Sequence, residues 1–173
     1  MKQKKIIGIT GGVGAGKSSV LAVLKNDFGA KIILADLVAH DLMEPGSLGL
    51  RKVTEALGTS FLTPDGAVDR KALADLIFRD KEALKTMNSI IHPLVWKTMK
   101  EEAEAASENL VIIEAAVFDT APKNFFDELW YVYTTKENRI VRLMENRGYF
   151  FMRKQLLICI QKCQCLHNRV YIF

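Results

Sequence analysis

The sequence predicts an α/β fold with a parallel sheet, helices on both faces in three layers, and an inserted helical region. Three observations lead there. Short apolar runs alternate with stretches of helical spacing along the chain, the pattern of strands joined by helical crossovers. The first apolar run ends in a glycine-rich segment that opens directly into a helical pattern. From about Leu48 to Ala106 the spacing is almost continuously helical.

The elements follow in order. Lys5-Ile6-Ile7-Gly8-Ile9 is apolar nearly throughout, as a strand covered on both faces must be. Ser18 to Lys25 carries Val20, Leu21, Val23 and Leu24 at helical spacing, with Gly29 as a stop signal just beyond. Lys31 to Ala35 is a second strand closed by Asp36, and Leu37 to Met43 a helix that ends before Pro45-Gly46. Within the helical region, Thr63-Pro64-Asp65-Gly66 is a turn. Lys71 to Phe78 and Lys81 to Ile91 are helices, and His92-Pro93 marks a boundary before another helix from Leu94. Leu110 to Ile113, ended by Glu114, is a third strand and Leu129 to Tyr133 a fourth. Lys136 to Asn146 is a helix with Ile140, Val141, Leu143 and Met144 on its apolar face.

The 173 residues suit one α/β domain with a small insertion. No apolar run approaches the roughly 20 residues that span a bilayer, and glycines break the apolar stretch behind the basic start. A cytoplasmic protein without membrane contact is therefore expected. From Asn146 onward there is no acid, and that tail holds five of the 24 basic residues, leaving 19 against 20 acids in the body. A near-neutral body argues against nucleic-acid binding. Cys159, Cys163 and Cys165 all lie in the tail, an odd cluster without paired C-x-x-C spacing. It reads neither as a disulfide framework nor as a zinc site. Nothing in the sequence sets an oligomeric state.

Gly11-Gly12-Val13-Gly14-Ala15-Gly16-Lys17-Ser18 fits G-x-x-x-x-G-K-[ST], after a strand and before a helix as that motif requires. This predicts a P-loop NTPase fold that holds ATP. The backbone N–H groups of Gly11, Gly12, Gly14, Ala15 and Gly16, with the helix N-terminus behind them, form a nest for phosphate oxygens. Lys17 is expected on the β- and γ-phosphates and Ser18 on Mg²⁺, with Ser19 counted in the nucleotide site beside them. The motif alone leaves kinase, GTPase and ATPase open, although no N/T-K-x-D segment for reading guanine is present.

Ligands of open parallel sheets bind beyond the carboxyl ends of the strands, and two carboxylates stand at such ends. Asp36 suits a base for an acceptor hydroxyl; its position alone suits a helix cap equally well. Glu114 occupies the place from which a carboxylate holds Mg²⁺ or its waters.

Taken together these segments resemble the dephospho-CoA kinase family. Ile9-Thr10 and the loop look like its opening segment. Leu34-Ala35-Asp36-Leu37-Val38-Ala39-His40 is similar to its DAD-x-x-A-[HR] segment, with Leu34 in place of the first Asp. Glu44-Pro45-Gly46, Asp65-Gly66-x-Val68-Asp69-Arg70-x-x-Leu73 and Ile91-His92-Pro93-x-Val95 match further stretches. Arg139-x-x-Arg142-Leu143-Met144-x-x-Arg147 looks like the helix leading to its lid. The resemblance runs from about Lys5 to Tyr149. It implies transfer of the ATP γ-phosphate to the ribose 3′-hydroxyl of dephospho-CoA, with Lys17 and Asp36 as catalytic residues. It further implies Arg142 and Arg147 at the nucleotide, Asp36, His40, Arg70 and His92 at the acceptor, and a CoA-binding role for the region from about 48 to 106. Two departures stand out: Glu114-Ala115-Ala116 where many members have Asp-x-Pro, and a tail after Tyr149 that lacks the family's lid helix and last strand. That tail reads as a frame change near codon 150, which would leave the fourth strand as an exposed edge unless Val170 to Phe173 pairs with it. The competing expectations are another P-loop kinase, acting on nucleosides, nucleotides or shikimate, and an ATP-binding module impaired by its tail.

Overall fold

The computed structural model describes residues 4–147 and 170–172, without the side chains of 145–147 and 170–172. Tail residues 148–169, with the three cysteines, lie outside the described residues. The chain divides into two compact units: Met1–Ile33, Ala106–Phe118 and Lys123–Phe173 form the first, and Leu34–Ala105 with Asp119–Pro122 the second. The helical unit thus begins at Leu34, ahead of the expected 48, and takes in a short return segment.

The first unit is built on a sheet of β1 (Lys5–Gly11), β2 (Lys31–Leu34), β3 (Leu110–Glu114), β4 (Glu128–Val132) and β5 (Val170–Ile172), in the order β2-β3-β1-β4-β5. Strand β1 pairs in parallel with β3 on one side, Lys5 opposite Leu110, and with β4 on the other, Ile7 opposite Glu128. Ile9, Val111, Ile112 and Ile113 are fully buried, as the unbroken apolar runs require of a sheet covered on both faces. The edge left open by β4 is taken by β5, Tyr131 opposite Tyr171, also in parallel.

Helix α1 (Lys17–Phe28) packs Leu24, Val20 and Leu21 on the core of Ile7, Ile9 and Ile112. Gly29, in the left-handed conformation, ends it. Glu128 accepts from Lys5 Nζ at 2.5 Å and from Trp130 Nε1 at 2.7 Å. These bonds, Lys5's first, hold its carboxyl below the usual 4.5. Helix α6 (Lys136–Arg147) buries Leu143 and Arg139, one turn apart, whereas Val141, expected on the apolar face, is half exposed.

In the helical unit α2 (Ala35–Asp41), α3 (Leu48–Leu57) and α4 (Arg70–Arg79) all pack on α5 (Lys81–Ala105). Ser47 and Asp69 cap α3 and α4 by accepting from backbone N–H groups of their first turns. The expected turn is a small loop closed by Thr63 N to Ala67 O and an antiparallel bridge between Leu62 and Val68.

The boundary expected at His92-Pro93 is not one. Helix α5 runs unbroken for 25 residues with Pro93 inside it. The proline removes the N–H that would bond the Ser89 carbonyl, yet Ile91, Val95, Trp96, Met99 and Ala103 bury one face of the helix on both sides of it. Packing of that face outweighs the local penalty. Among the described residues no helix is long and apolar enough to cross a membrane. Pro93 is exposed, so Pro93→Ala should restore a hydrogen bond without opening a cavity. Its melting temperature should rise, with up to about 3 kcal/mol available; thermal unfolding followed by circular dichroism measures it.

Candidate functional site

The phosphate loop is the direct continuation of β1. Gly11 is the last residue of the strand and Lys17 the first of α1. Between them the chain doubles back, with Ala15 N donating to Gly12 O at 3.0 Å. Gly16 sits at φ +102° at the helix N-cap, a conformation that glycine alone adopts without strain. Ser19 N and Val20 N already bond to Gly16 O. The N–H groups of the first turn at Lys17 and Ser18 precede the first intrahelical bonds, which is what an anion needs.

Lys17 donates to Gly11 O at 2.8 Å and lies 3.6 Å from Glu114 Oε1, both side chains largely buried. The expected cation and carboxylate are thus brought together at the ends of β1 and β3. Thr10, buried, donates to Ala116 O at 3.2 Å, tying the two strand ends together. Ser18 and Ser19 are exposed. The Ser18 hydroxyl and the Glu114 carboxylate are hard oxygen donors of the type Mg²⁺ takes, so the donor set fits that ion. Among the described residues there is no group of three or more His, Cys, Asp or Glu side chains that would form an all-protein metal site.

Two arginines of α6 grip the loop. Arg142 Nη1 donates to Ala15 O at 3.0 Å and Arg139 Nε to Val13 O at 2.9 Å. Arg142 was expected at the nucleotide; Arg139 was not assigned a place in the site. Its burial was hidden because an arginine on a charged helix normally reads as solvent-facing. The available signal was its place one turn before Leu143. Arg147 ends α6, and its side chain lies outside the described residues.

The remaining expected residues belong to the helical unit. Asp36 lies in the first turn of α2, exposed, and the helix N-cap is Leu34, without a side-chain cap bond. The helix-cap alternative is therefore wrong for Asp36: the helix starts two residues earlier than the sequence suggested, so the acid falls inside it. His40 Nε2 and an Arg70 amine are hydrogen-bonded across thirty residues of sequence. Arg70 can only donate, so Nε2 accepts and Nδ1 carries the hydrogen toward Glu44, 3.3 Å away. His92 stands on α5 in a groove of about 670 Å³ with Pro93, Trp96, Lys97, Lys100 and Thr120. Trp96 Nε1 donates to Thr120 Oγ1 at 3.0 Å, and that hydroxyl is 3.4 Å from His92 Nδ1. The volume lies in the range of small-molecule sites.

The chain is similar to known proteins along most of its length. The sequence profile of the dephospho-CoA kinase family matches residues 5–164. The dephospho-CoA kinase of Carboxydothermus hydrogenoformans is 34% identical over 169 residues, covering 95% of this chain and 81% of the relative. That of Moorella thermoacetica is 41% identical over 144 residues, 80% of this chain and 68% of the relative. A solved structure from Thermus thermophilus superposes with a TM-score of 0.74 at 29% identity, over 95% of this chain and 82% of that one. The dephospho-CoA kinase from Campylobacter jejuni superposes with a TM-score of 0.65 at 24% identity, over 98% and 89%, and speaks for the fold. The likeness expected to stop at Tyr149 runs on to residue 164 in the profile, so part of the tail belongs to the match.

A methyl group at Gly16 would be forced into its φ of +102° and would lie 3.0 Å from Arg142 Nη1. Gly16→Ala is therefore expected to cost about 1–3 kcal/mol in the loop and to weaken ATP binding with it, as calorimetry and chemical unfolding would show.

Proposed function

The chain belongs to the dephospho-CoA kinase family, and we propose that it transfers the γ-phosphoryl group of ATP to the ribose 3′-hydroxyl of dephospho-CoA, giving CoA. In the reaction the 3′-oxygen bonds to the γ-phosphorus, the bond from that phosphorus to the β,γ-bridging oxygen breaks, and ADP leaves. The hydroxyl proton goes to Asp36. The observation that carries the reading is the phosphate loop with Lys17 at its end, paired with Glu114 and gripped by α6. Positioning and charge neutralisation supply most of the catalysis of phosphoryl transfer, and those are what this loop offers.

In this reading the loop from Gly11 to Ser19 takes the phosphates, with Arg142 and Arg147 nearby. Lys17 follows the γ-phosphoryl as its charge redistributes. Mg²⁺, when bound, neutralises β- and γ-oxygens; Ser18 and Glu114 are the residues that would hold it. Asp36 is uncapped and free of hydrogen bonds among the described residues, which suits a base that must meet a substrate hydroxyl. His40 and Arg70, already joined, and His92 in its groove are the residues for the acceptor, whose phosphates and amide-rich arm need donors and apolar cover in one place.

The test is release of ADP from ATP and Mg²⁺ on addition of dephospho-CoA, with nucleosides and shikimate as rival acceptors. Lys17→Ala should abolish turnover and raise the ATP dissociation constant about tenfold or more, the worth of a charge-assisted bond; unchanged affinity by calorimetry would refute the loop's role. Asp36→Asn should lower kcat by about 10²–10⁴-fold with ATP affinity intact, whereas a loss under about threefold would remove Asp36 from the chemistry.

A further inference from the structure

The Arg139 side chain is more than nine-tenths buried, and among the described residues its Nη2 has no hydrogen-bond partner. Among the described residues no carboxylate pairs with it. Arginine stays charged at any pH a protein meets, so a full positive charge is enclosed against the phosphate loop with one neutral bond, Nε to the Val13 carbonyl, to hold it. The contact with the loop is close: a Cβ at Gly12 would overlap the Arg139 guanidinium. Glu114, the carboxylate at the end of β3, lies 3.6 Å from Lys17 Nζ. A buried charge without a partner is unfavourable in the protein alone. A fold carries such a charge at small net cost only when something negative meets its field in the working state.

We propose that the missing counter-charge is the nucleotide's own polyphosphate. Arg139 is a positioning residue that fixes the loop through Val13 and presents its charge to the triphosphate through the Gly12–Val13 backbone. The inference rests on the reading of this loop as the ATP site. It gives Arg139 a signature opposite to that of an ordinary structural arginine. The residue costs stability in the nucleotide-free protein and returns it in the complex, so nucleotide affinity and unliganded stability respond to its loss in opposite directions.

Two substitutions in the full chain separate the possibilities. Arg139→Met keeps the length and removes the charge. It should leave the melting temperature without nucleotide unchanged or higher, and raise the ATP dissociation constant roughly tenfold. The difference from the wild type should shrink as salt is added. Arg139→Lys keeps the charge and should bind ATP within about threefold of the wild type. Wild-type ATP affinity in the methionine variant would overturn the proposal. So would a fall in its melting temperature accompanied by an equal loss of ATP affinity in the lysine variant, which would make Arg139 a packing residue only. Lys17→Ala serves as the control. If ATP binding ignores Lys17, the loop is not the nucleotide site and both readings fall. If binding needs Lys17 but not Arg139, only the present inference fails.

Discussion

Strand β1 is hydrogen-bonded along both edges, to β3 and to β4, and the phosphate loop is what that strand becomes when it leaves the sheet. The loop's placement therefore inherits the rigidity of a strand held on both edges. Thr10 ties the strand's end to the chain beyond β3, so the start of the loop and the carboxylate of Glu114 cannot drift apart independently. From the other side α6 holds two loop carbonyls, Val13 and Ala15, with two arginines. A loop fixed by a strand at one end, a helix at the other and two side chains along its length keeps its N–H groups aimed without help from the ligand. Such preorganisation is what a phosphate site depends on.

The helical unit solves a different problem. It has no sheet to hold it, so α5 does that work, with α2, α3 and α4 each packed on it. The length of α5 matters for chemistry as well as for packing, because His92, Trp96 and Lys100 fall on successive turns along one groove. Trp96 is buried with its indole N–H satisfied by Thr120, a residue from the return segment Asp119–Pro122. Part of the groove's lining is thus borrowed from a distant part of the sequence, with Thr120 in contact with both Trp96 and His92.

What the sequence disclosed depended on how local the cause was. The strands, α1 with its Gly29 stop, α6 and the loop were legible because their patterns and glycines act within a few residues. Lys17 and Glu114 were legible through the rule that ligands gather at strand ends. Asp36 was legible as a residue of interest, but its helix was placed two residues late, since Ala35 and Asp36 suit a first turn as well as a strand end. Pro93 was misread because a local penalty was weighed without the buried face that overrides it. Arg139 was passed over for the same reason in reverse: only the packing of α6 on the loop shows that this arginine is enclosed. Family likeness named His40 and Arg70 separately, and the hydrogen bond between them was not legible, because nothing local links two helices thirty residues apart. For the tail, neither composition nor periodicity gave an element, apart from the β-branched and aromatic run that forms β5.

The strand order has a consequence in time as well as in space. The central strand precedes both of its partners in the chain, which begin at Leu110 and Glu128. During synthesis an apolar segment must therefore remain unpaired while the whole helical region passes the exit of the ribosome. Long-range parallel pairing is slow, since loop closure comes before any contact rewards it. The helical unit relies on nearer contacts and can condense during that interval, bringing the two ends of the sheet's long crossover closer before the strands meet. The insertion that carries the candidate acceptor residues would then also shorten the search for the sheet, and the nascent chain would depend on it before any substrate does.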